Sequence, residues 1–160
     1  MTFQILDIIK GTIVDGPGFR TSIYMAGCSH HCPGCHNPES WDPEAGKEMS
    51  LQEIMDIVEE EDFDVTLSGG DPLYYPEKLE VLIKALKINR RNVWVYTGFS
   101  WEQIISSPKL RSSIQNADVL VDGKFIKELR NIDLPFRGSS NQRIIKIGES
   151  LKEGSIILYS

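Results

Sequence analysis

Short apolar runs typical of β-strands alternate along this chain with segments of helical periodicity, and this alternation constrains the fold more than any other feature. Apolar residues recur at helical spacing after Ser50, Pro76 and Ser100. Strand-like runs lie at 21–26, 64–68, 92–97, 118–121, 143–147 and 156–159. Such alternation favours an α/β fold in which helices connect parallel strands.

The length of 160 residues suits one domain, covering residues 1–160. It leaves room for four or five βα units, whereas a closed eight-unit barrel takes about 250 residues. We therefore expect a shortened, partly open β/α barrel with mostly parallel strands. Loops at the carboxyl ends of such strands carry the chemistry. The loops that we expect to meet there are the cysteine loop, Gly69-Gly70, Thr97-Gly98 and Asp122-Gly123.

Charge and hydropathy exclude several classes of function. The net charge is −6, which argues against nucleic-acid binding because that requires a basic surface. No apolar run approaches the roughly 18 residues that cross a bilayer, and the first ten residues lack the features of a signal peptide. We expect a cytoplasmic protein that binds no membrane and keeps its thiols reduced.

All three cysteines, Cys28, Cys32 and Cys35, fall within eight residues with the spacing C-x3-C-x2-C. Crowding of this kind fits a metal site better than a disulfide framework. A [4Fe–4S] cluster is normally held by four cysteines, so three would leave one iron open. An open coordination position is typical of a catalytic metal site.

Zinc is the competing interpretation of the same loop. His30, His31 and His36 lie close to the cysteines in sequence, and Cys3His is a common structural zinc set. The chain lacks the second, separated pair of ligands that most zinc modules have. A non-catalytic zinc module that binds another protein stays open at this point.

Glycine-containing turns follow or precede the strand-like runs. Segment 68–72, Ser-Gly-Gly-Asp-Pro, lets the backbone approach a ligand such as an amino-acid moiety, or serves only as a turn. Segment 15–20, Asp-Gly-Pro-Gly-Phe-Arg, favours a tight turn. Segment 137–142, Arg-Gly-Ser-Ser-Asn-Gln, is a polar loop that could close over a ligand or contact a partner.

The cysteine spacing resembles the signature of the radical S-adenosylmethionine superfamily. Together with segment 15–20, Cys35-His36-Asn37 and Trp41, it resembles the enzymes that activate glycyl radical enzymes. Segments 27–35, 68–72, 121–125 and 137–142 are similar to the family that activates the anaerobic ribonucleoside-triphosphate reductase. Gly34 and Asp71 depart from the wider superfamily, which has an aromatic residue and a glutamate there, but both are typical of this family.

The resemblance implies a site of two cofactors. Cys28, Cys32 and Cys35 would hold one [4Fe–4S] cluster, and the amine and carboxylate of S-adenosylmethionine would bind its fourth iron. The residues that would contact S-adenosylmethionine are Gly34, Cys35, His36, Gly69, Gly70, Asp122 and Lys124.

The resemblance also implies the reaction and the partners. Reductive cleavage of S-adenosylmethionine would produce a glycyl radical on the catalytic subunit of the anaerobic ribonucleoside-triphosphate reductase. A low-potential, flavodoxin-like protein would supply the electron. The nearest alternative is the same chemistry on another glycyl radical enzyme of the pyruvate formate-lyase type.

Overall fold

One mixed sheet organises the residues that the computed structural model describes, 1–35 and 38–159. Its order is β3-β1-β2-β4-β5-β6-β7, so β3 and β7 are the two edges. The strands are β1 (Thr2–Thr12), β2 (Arg20–Met25), β3 (Lys47–Ser50), β4 (Asp64–Gly69), β5 (Val93–Tyr96), β6 (Val119–Asp122) and β7 (Arg143–Lys146).

The middle of the sheet is parallel, as the alternation predicts. β2, β4, β5 and β6 run in the same direction, with Ile23 beside Leu67 and Leu67 beside Val95. The outer pairings β1–β2, β1–β3 and β6–β7 are antiparallel, which the sequence did not lead us to expect. The carboxyl ends of the four central strands therefore share one edge of the sheet.

Two predictions about strands are wrong. The first strand is β1, whereas the first strand that we predicted from the sequence begins at residue 21. Irregular register near Asp7 and Thr12 interrupts the alternation of buried and exposed residues that would identify β1. The run 156–159 forms only an isolated bridge between Leu158 and Ile145. That run is too short, and too exposed at Leu158, to extend the sheet.

Helices connect the strands where helical spacing predicts them. They are α1 (Leu51–Glu61), α2 (Pro76–Ile88), α3 (Trp101–Ile105), α4 (Pro108–Ile114) and α5 (Ile147–Glu153), the last two not expected from sequence. Ser50 and Glu53 form the capping box that starts α1, with Ser50 Oγ accepting from the Glu53 N–H at 3.1 Å. No helix within the described ranges has the length and apolarity needed to cross a membrane.

The apolar core lies between the sheet and its helices. Ile23, Leu67 and Val95 of the central strands are completely buried against the apolar faces of the helices. The main helical contributors are Ile54, Val58, Leu79, Leu82, Leu86 and Ile104. This core is built without the cysteine loop.

A buried arginine connects the turn before β2 to the neighbouring strands. Arg20 is 1% exposed, and its guanidinium donates to Thr66 Oγ1 (2.8 Å), to the Val65 carbonyl (2.8 Å) and to Asn92 Oδ1 (2.9 Å). It also donates to the carbonyl of Pro17 at 3.2 Å. The arginine of segment 15–20 thus holds the turn onto β4 and the start of β5.

We expect Arg20→Met to lower the free energy of unfolding by about 3 kcal/mol, because it leaves several buried acceptors without donors. Urea denaturation measures the change. Arg111→Met, at an exposed position on α4, is the matched control and should change stability by less than about 0.5 kcal/mol. A loss at Arg20 no larger than at Arg111 would show that the guanidinium is dispensable.

Candidate active site

A cavity of about 360 Å³ lies at the carboxyl ends of the parallel strands. Each of the four loops that sequence reasoning assigned to this rim contributes to its walls. The cysteine loop contributes Cys28, Cys32 and Cys35, and the other three loops contribute Gly69 with Gly70, Thr97 with Gly98, and Gly123. The expectation that the loops meet is confirmed, and the volume is that of a small-molecule site.

The three cysteines are free thiols on the wall of this cavity. Cys28 is buried, whereas Cys32 and Cys35 are partly exposed. Burial raises the pKa of the Cys28 and Cys32 thiols, so a metal centre that binds them must displace protons. Three soft sulfur ligands along the wall of one cavity are the ligand type that an iron–sulfur cluster takes.

Backbone hydrogen bonds fix the shape of the cysteine loop. The Cys35 N–H donates to the Cys32 carbonyl at 3.0 Å, and Gly34 between them has a φ of 76°, which favours glycine. At the start of the loop, the Gly27 N–H donates to the Ser40 carbonyl at 2.8 Å. Gly34 itself lies outside the cavity lining. His36 lies outside the described residues.

Gly69 and Gly70 both line the cavity, but the chain also needs them for its own packing. Gly69 has a φ of 118°, and a Cβ there would collide with the Met25 backbone. A Cβ on Gly70 would lie 2.6 Å from the Ser40 carbonyl oxygen and closer still to the Gly27 carbonyl oxygen. Gly69 therefore permits close approach of this turn to the end of β2, and Gly70 permits its close approach to the start of the cysteine loop, whatever ligand binds.

Asp122 and Lys124 lie outside the lining of this cavity and line a neighbouring groove instead. The Asp122 carboxylate is buried and accepts from the Trp101 N–H (2.8 Å) and from Arg143 Nη2 (2.6 Å). It thereby joins α3 and β7 to the end of β6. Of residues 122–124, only Gly123 lines the cavity with the cysteines.

Sequence reasoning missed the side-chain role of Asp71. This carboxylate is 2% exposed and accepts from Thr97 Oγ1 (2.9 Å) and the Gly98 N–H (2.9 Å) at the end of β5. It also accepts from the Leu73 N–H at 2.9 Å. Its fourth partner is His30, whose Nε2 donates to Asp71 Oδ2 at 2.6 Å.

His30 consequently anchors the cysteine loop to two other loops. It lies between Cys28 and Cys32 in the sequence, and its side chain is 7% exposed. Its ring packs edge-on against Phe99, with 4.6 Å between the ring centroids. A Cβ on Gly98 would lie 2.5 Å from the His30 ring, so glycine there makes room for the imidazole. A histidine inside the cysteine spacing and an aspartate after Gly69-Gly70 were the only sequence signals of this bond.

His31, the other histidine among the described residues, gives the zinc alternative no support. The His31 ring stacks on Trp41, with 4.3 Å between ring centroids. Among residues 1–35 and 38–159 no three His, Cys, Asp or Glu side chains are close enough to hold one metal ion, and this applies to Cys28, Cys32 and Cys35 as it does to the histidines. His30 is committed to Asp71.

The polar loop 137–142 forms part of the cavity wall. Gly138 and Gln142 line the cavity, and Gln142 Nε2 donates to the Gly123 carbonyl at 2.9 Å. Gln142 Oε1 accepts from the N–H groups of Gly138 and Ser139. One glutamine amide thus holds this loop to the end of β6.

Aromatic side chains complete the wall, namely Tyr24, Trp41, Tyr96 and Phe125. Burial, together with the negative charge of Asp15, raises the pKa of Tyr96, whose hydroxyl donates to the Phe136 carbonyl at 2.6 Å. Burial likewise raises the pKa of Tyr24. These phenols stay neutral at ordinary pH and give the site an apolar, weakly solvated wall.

Comparison with known proteins gives consistent results. A family model described as "4Fe-4S single cluster domain" matches residues 14–145. Anaerobic ribonucleoside-triphosphate reductase-activating protein of Escherichia coli K12 is 36% identical, covering 81% of this chain and 90% of that protein. The proteins of the same name from Haemophilus influenzae (34%; 82% and 90%) and phage T4 (32%; 82% and 86%) are similarly close.

A solved structure shares the fold at lower identity. The crystal structure of QueE from Escherichia coli is similar with a TM-score of 0.52 and 16% sequence identity. The match covers 62% of this chain and 54% of that one. It supports the arrangement of strands and helices and says nothing by itself about chemistry.

We expect His30→Ala to speed iron loss to a chelator by about 10- to 100-fold, as is usual when a residue that orients metal ligands is removed. His30→Gln, which keeps a donor towards Asp71, should recover part of the loss. The visible spectrum and the electron paramagnetic resonance signal of the reduced cluster should change in parallel, without a large change in thermal stability.

His31→Ala is the matched control for this prediction, because His31 is exposed, belongs to the same loop and does not contact Asp71. It should release iron at the wild-type rate. Equal rates for His30→Ala and His31→Ala would show that the bond to Asp71 does not position the cysteines.

Proposed function

This chain belongs to the family of anaerobic ribonucleoside-triphosphate reductase-activating proteins, and we propose that Cys28, Cys32 and Cys35 hold the [4Fe–4S] cluster with which it cleaves S-adenosylmethionine. The product of that chemistry is a glycyl radical on the anaerobic reductase. The observation that carries the assignment is the cavity at the strand ends, which all three cysteines line together with the Gly69-Gly70 turn.

When bound, the reduced cluster and S-adenosylmethionine would supply a one-electron reductive cleavage of a carbon–sulfur bond and, with it, the removal of a hydrogen atom from the partner's glycine. The chain's own residues bind, orient and protect these groups. Cys28, Cys32 and Cys35 would hold the cluster and would leave room for the amine and carboxylate of the cofactor to bind it. The backbone of Gly69 and Gly70, in the same cavity, would contact that amine.

Exclusion of water is the second contribution of the protein. Tyr24, Trp41, Tyr96 and Phe125 line the cavity beside the thiols. A weakly solvated wall strengthens electrostatic contacts to the cofactor and keeps competing hydrogen donors away. The partner's glycine would complete the enclosure when it docks.

We propose the remaining cofactor contacts at two places, the cysteine loop and the adjacent groove. Cys35 lines the cavity, and Gly34 and His36 flank it in the loop. Asp122 and Lys124 would act from the adjacent groove, which shares Gly98 and Gly123 with the cavity. We also propose that the open sheet curves as a partial barrel around the cofactors, that residues 1–160 act as one domain, and that the protein works in the cytoplasm.

Two alternatives lead to different experiments. Activation of a pyruvate formate-lyase type enzyme would use the same site, but the relatives at 32–36% identity carry the name of the reductase activator. A non-catalytic zinc module would need a fourth ligand; His30 and His31 have other partners, and His36 lies outside the described residues, so metal analysis decides.

We expect anaerobic reconstitution to give about four irons per chain. Replacing any one of Cys28, Cys32 or Cys35 by Ala should abolish the stable cluster and the activity, while the fold survives because the apolar core lies elsewhere. Iron analysis, visible absorbance and circular dichroism measure these outcomes. Stoichiometric zinc without broad visible absorbance would contradict the assignment, as would a fully active cysteine variant.

With reductant and S-adenosylmethionine, the protein should produce a glycine-centred doublet in electron paramagnetic resonance when mixed with the anaerobic reductase. Cleavage should be slow without the reductase, because the partner's glycine is needed to complete the site. A reductase whose radical glycine is changed to alanine is the control. A doublet of equal size on pyruvate formate-lyase would overturn the choice of partner but leave the chemistry intact.

A further inference from the structure

Residues 123–142 leave the sheet after β6 and return at β7, and we call this segment the β6–β7 excursion. Its second half holds its first half in place. Asn141 Nδ2 donates to the Lys124 carbonyl (2.8 Å), and Ser139 Oγ accepts from the Ile126 N–H (3.2 Å). The backbones of Arg130 and Ser139 also pair in an isolated antiparallel β-bridge. The motif at 137–142 therefore presents residues 124–130 as a fixed surface.

This surface lies against the cysteine loop. A Cβ on Gly34 would be 3.2 Å from Lys127 Cδ and 3.4 Å from its Cβ and Cγ, so the methylenes of Lys127 lie along Gly34. A backbone hydrogen bond from Phe125 reaches the Cys32 thiol, and the positive charge of Lys124 also acts on that thiol. Because residue 34 is glycine, no side chain keeps Lys127 away from the backbone between Cys32 and Cys35.

The excursion is basic in an otherwise acidic protein. It has four basic and two acidic side chains, whereas the whole chain has a net charge of −6. Lys124, Lys127 and Arg130 are exposed, and among residues 1–35 and 38–159 none of them has a carboxylate partner within 4.0 Å. Ile126 and Leu129, between them, are 38% and 42% exposed.

We propose that the face formed by Lys124, Ile126, Lys127, Leu129 and Arg130 docks an acidic, one-electron donor protein that reduces the cluster. The inference rests on the proposed function, because it needs a cluster at Cys28, Cys32 and Cys35. One electron leaves the reduced donor and enters the oxidised cluster, and no atom is transferred.

Geometry and charge together favour this occupant. Electron transfer slows steeply with distance, and a donor seated on this face would be separated from the cysteine loop by little more than the Lys127 side chain, which lies along Gly34. Unpaired basic side chains steer an acidic partner and raise its association rate. Two partly exposed apolar side chains amid the charges suit the small interfaces of transient redox complexes.

The reductase is a less suitable occupant of this face. Its glycine has to enter the cavity, whereas Gly34, which Lys127 covers, lies outside the cavity lining. The two partners would then bind different sides of the cysteine loop. Separate variants can distinguish them.

The test is stopped-flow reduction of the reconstituted cluster by a reduced flavodoxin of low isoelectric point, at low and at high salt. Lys127→Glu with Arg130→Glu should lower the second-order rate constant at least about tenfold at low salt and remove its salt dependence. Lys127→Met keeps the packing on Gly34 and removes one charge, so it should give an intermediate rate. Lys84→Glu, an exposed reversal on α2, is the matched control.

Dithionite reduces the same cluster without docking a protein, and its rate should be equal in all variants. Unchanged flavodoxin rates in the double variant would overturn the proposal. An equal fall in the dithionite rate would also overturn it, because it would mean that the variant damages the site. An unchanged flavodoxin rate together with a lower glycyl radical yield under dithionite would assign the face to the reductase instead. A wild-type protein without a dithionite-reducible cluster would instead refute the proposed function.

Discussion

The buried carboxylate of Asp71 is the interaction on which the candidate site depends. Four donors from three loops converge on it, including the His30 imidazole and the Thr97 hydroxyl. A carboxylate removed from water is costly unless its oxygens are satisfied, and here each oxygen accepts at least two hydrogen bonds. The cysteine loop, the Gly69-Gly70 turn and the end of β5 therefore keep one relative position.

The fold and the site rest on different forces. Apolar contacts between the central strands and the helices build the core, and they need no residue of the cysteine loop. Buried polar groups orient the loops: Arg20 before β2, Asp71 after β4 and Asp122 at the end of β6. A change at Asp71 should thus disturb the geometry of the site more than it disturbs the sheet, whereas Arg20 and Asp122 also join strands directly.

Local patterns in the sequence were sufficient to predict the central strands, the three main helical segments and the meeting of four loops. They were insufficient for β1, whose register irregularities break the alternation, and for β3, in which only Met49 is buried. The partner of His30 was also inaccessible, because Asp71 is 41 positions away and only the parallel pairing of β2 with β4 brings the two together. For the same reason the sequence could not show that Asp122 faces α3 and Arg143.

The β6–β7 excursion belongs to the cavity and to the surface at the same time. Phe125, Gly138 and Gln142 line the cavity that the cysteines also line, while Lys127 and Arg130 are exposed to solvent. The hydrogen bonds of Ser139, Asn141 and Gln142 hold both sides in one piece of backbone. Because the wall of the cavity and the basic face share this support, the polar residues of the 137–142 motif have a structural reason to be present even where none of them touches a cofactor. The 137–142 motif, which the sequence alone suggested as a loop for a ligand or a partner, thus also serves to hold residues 124–130 in place.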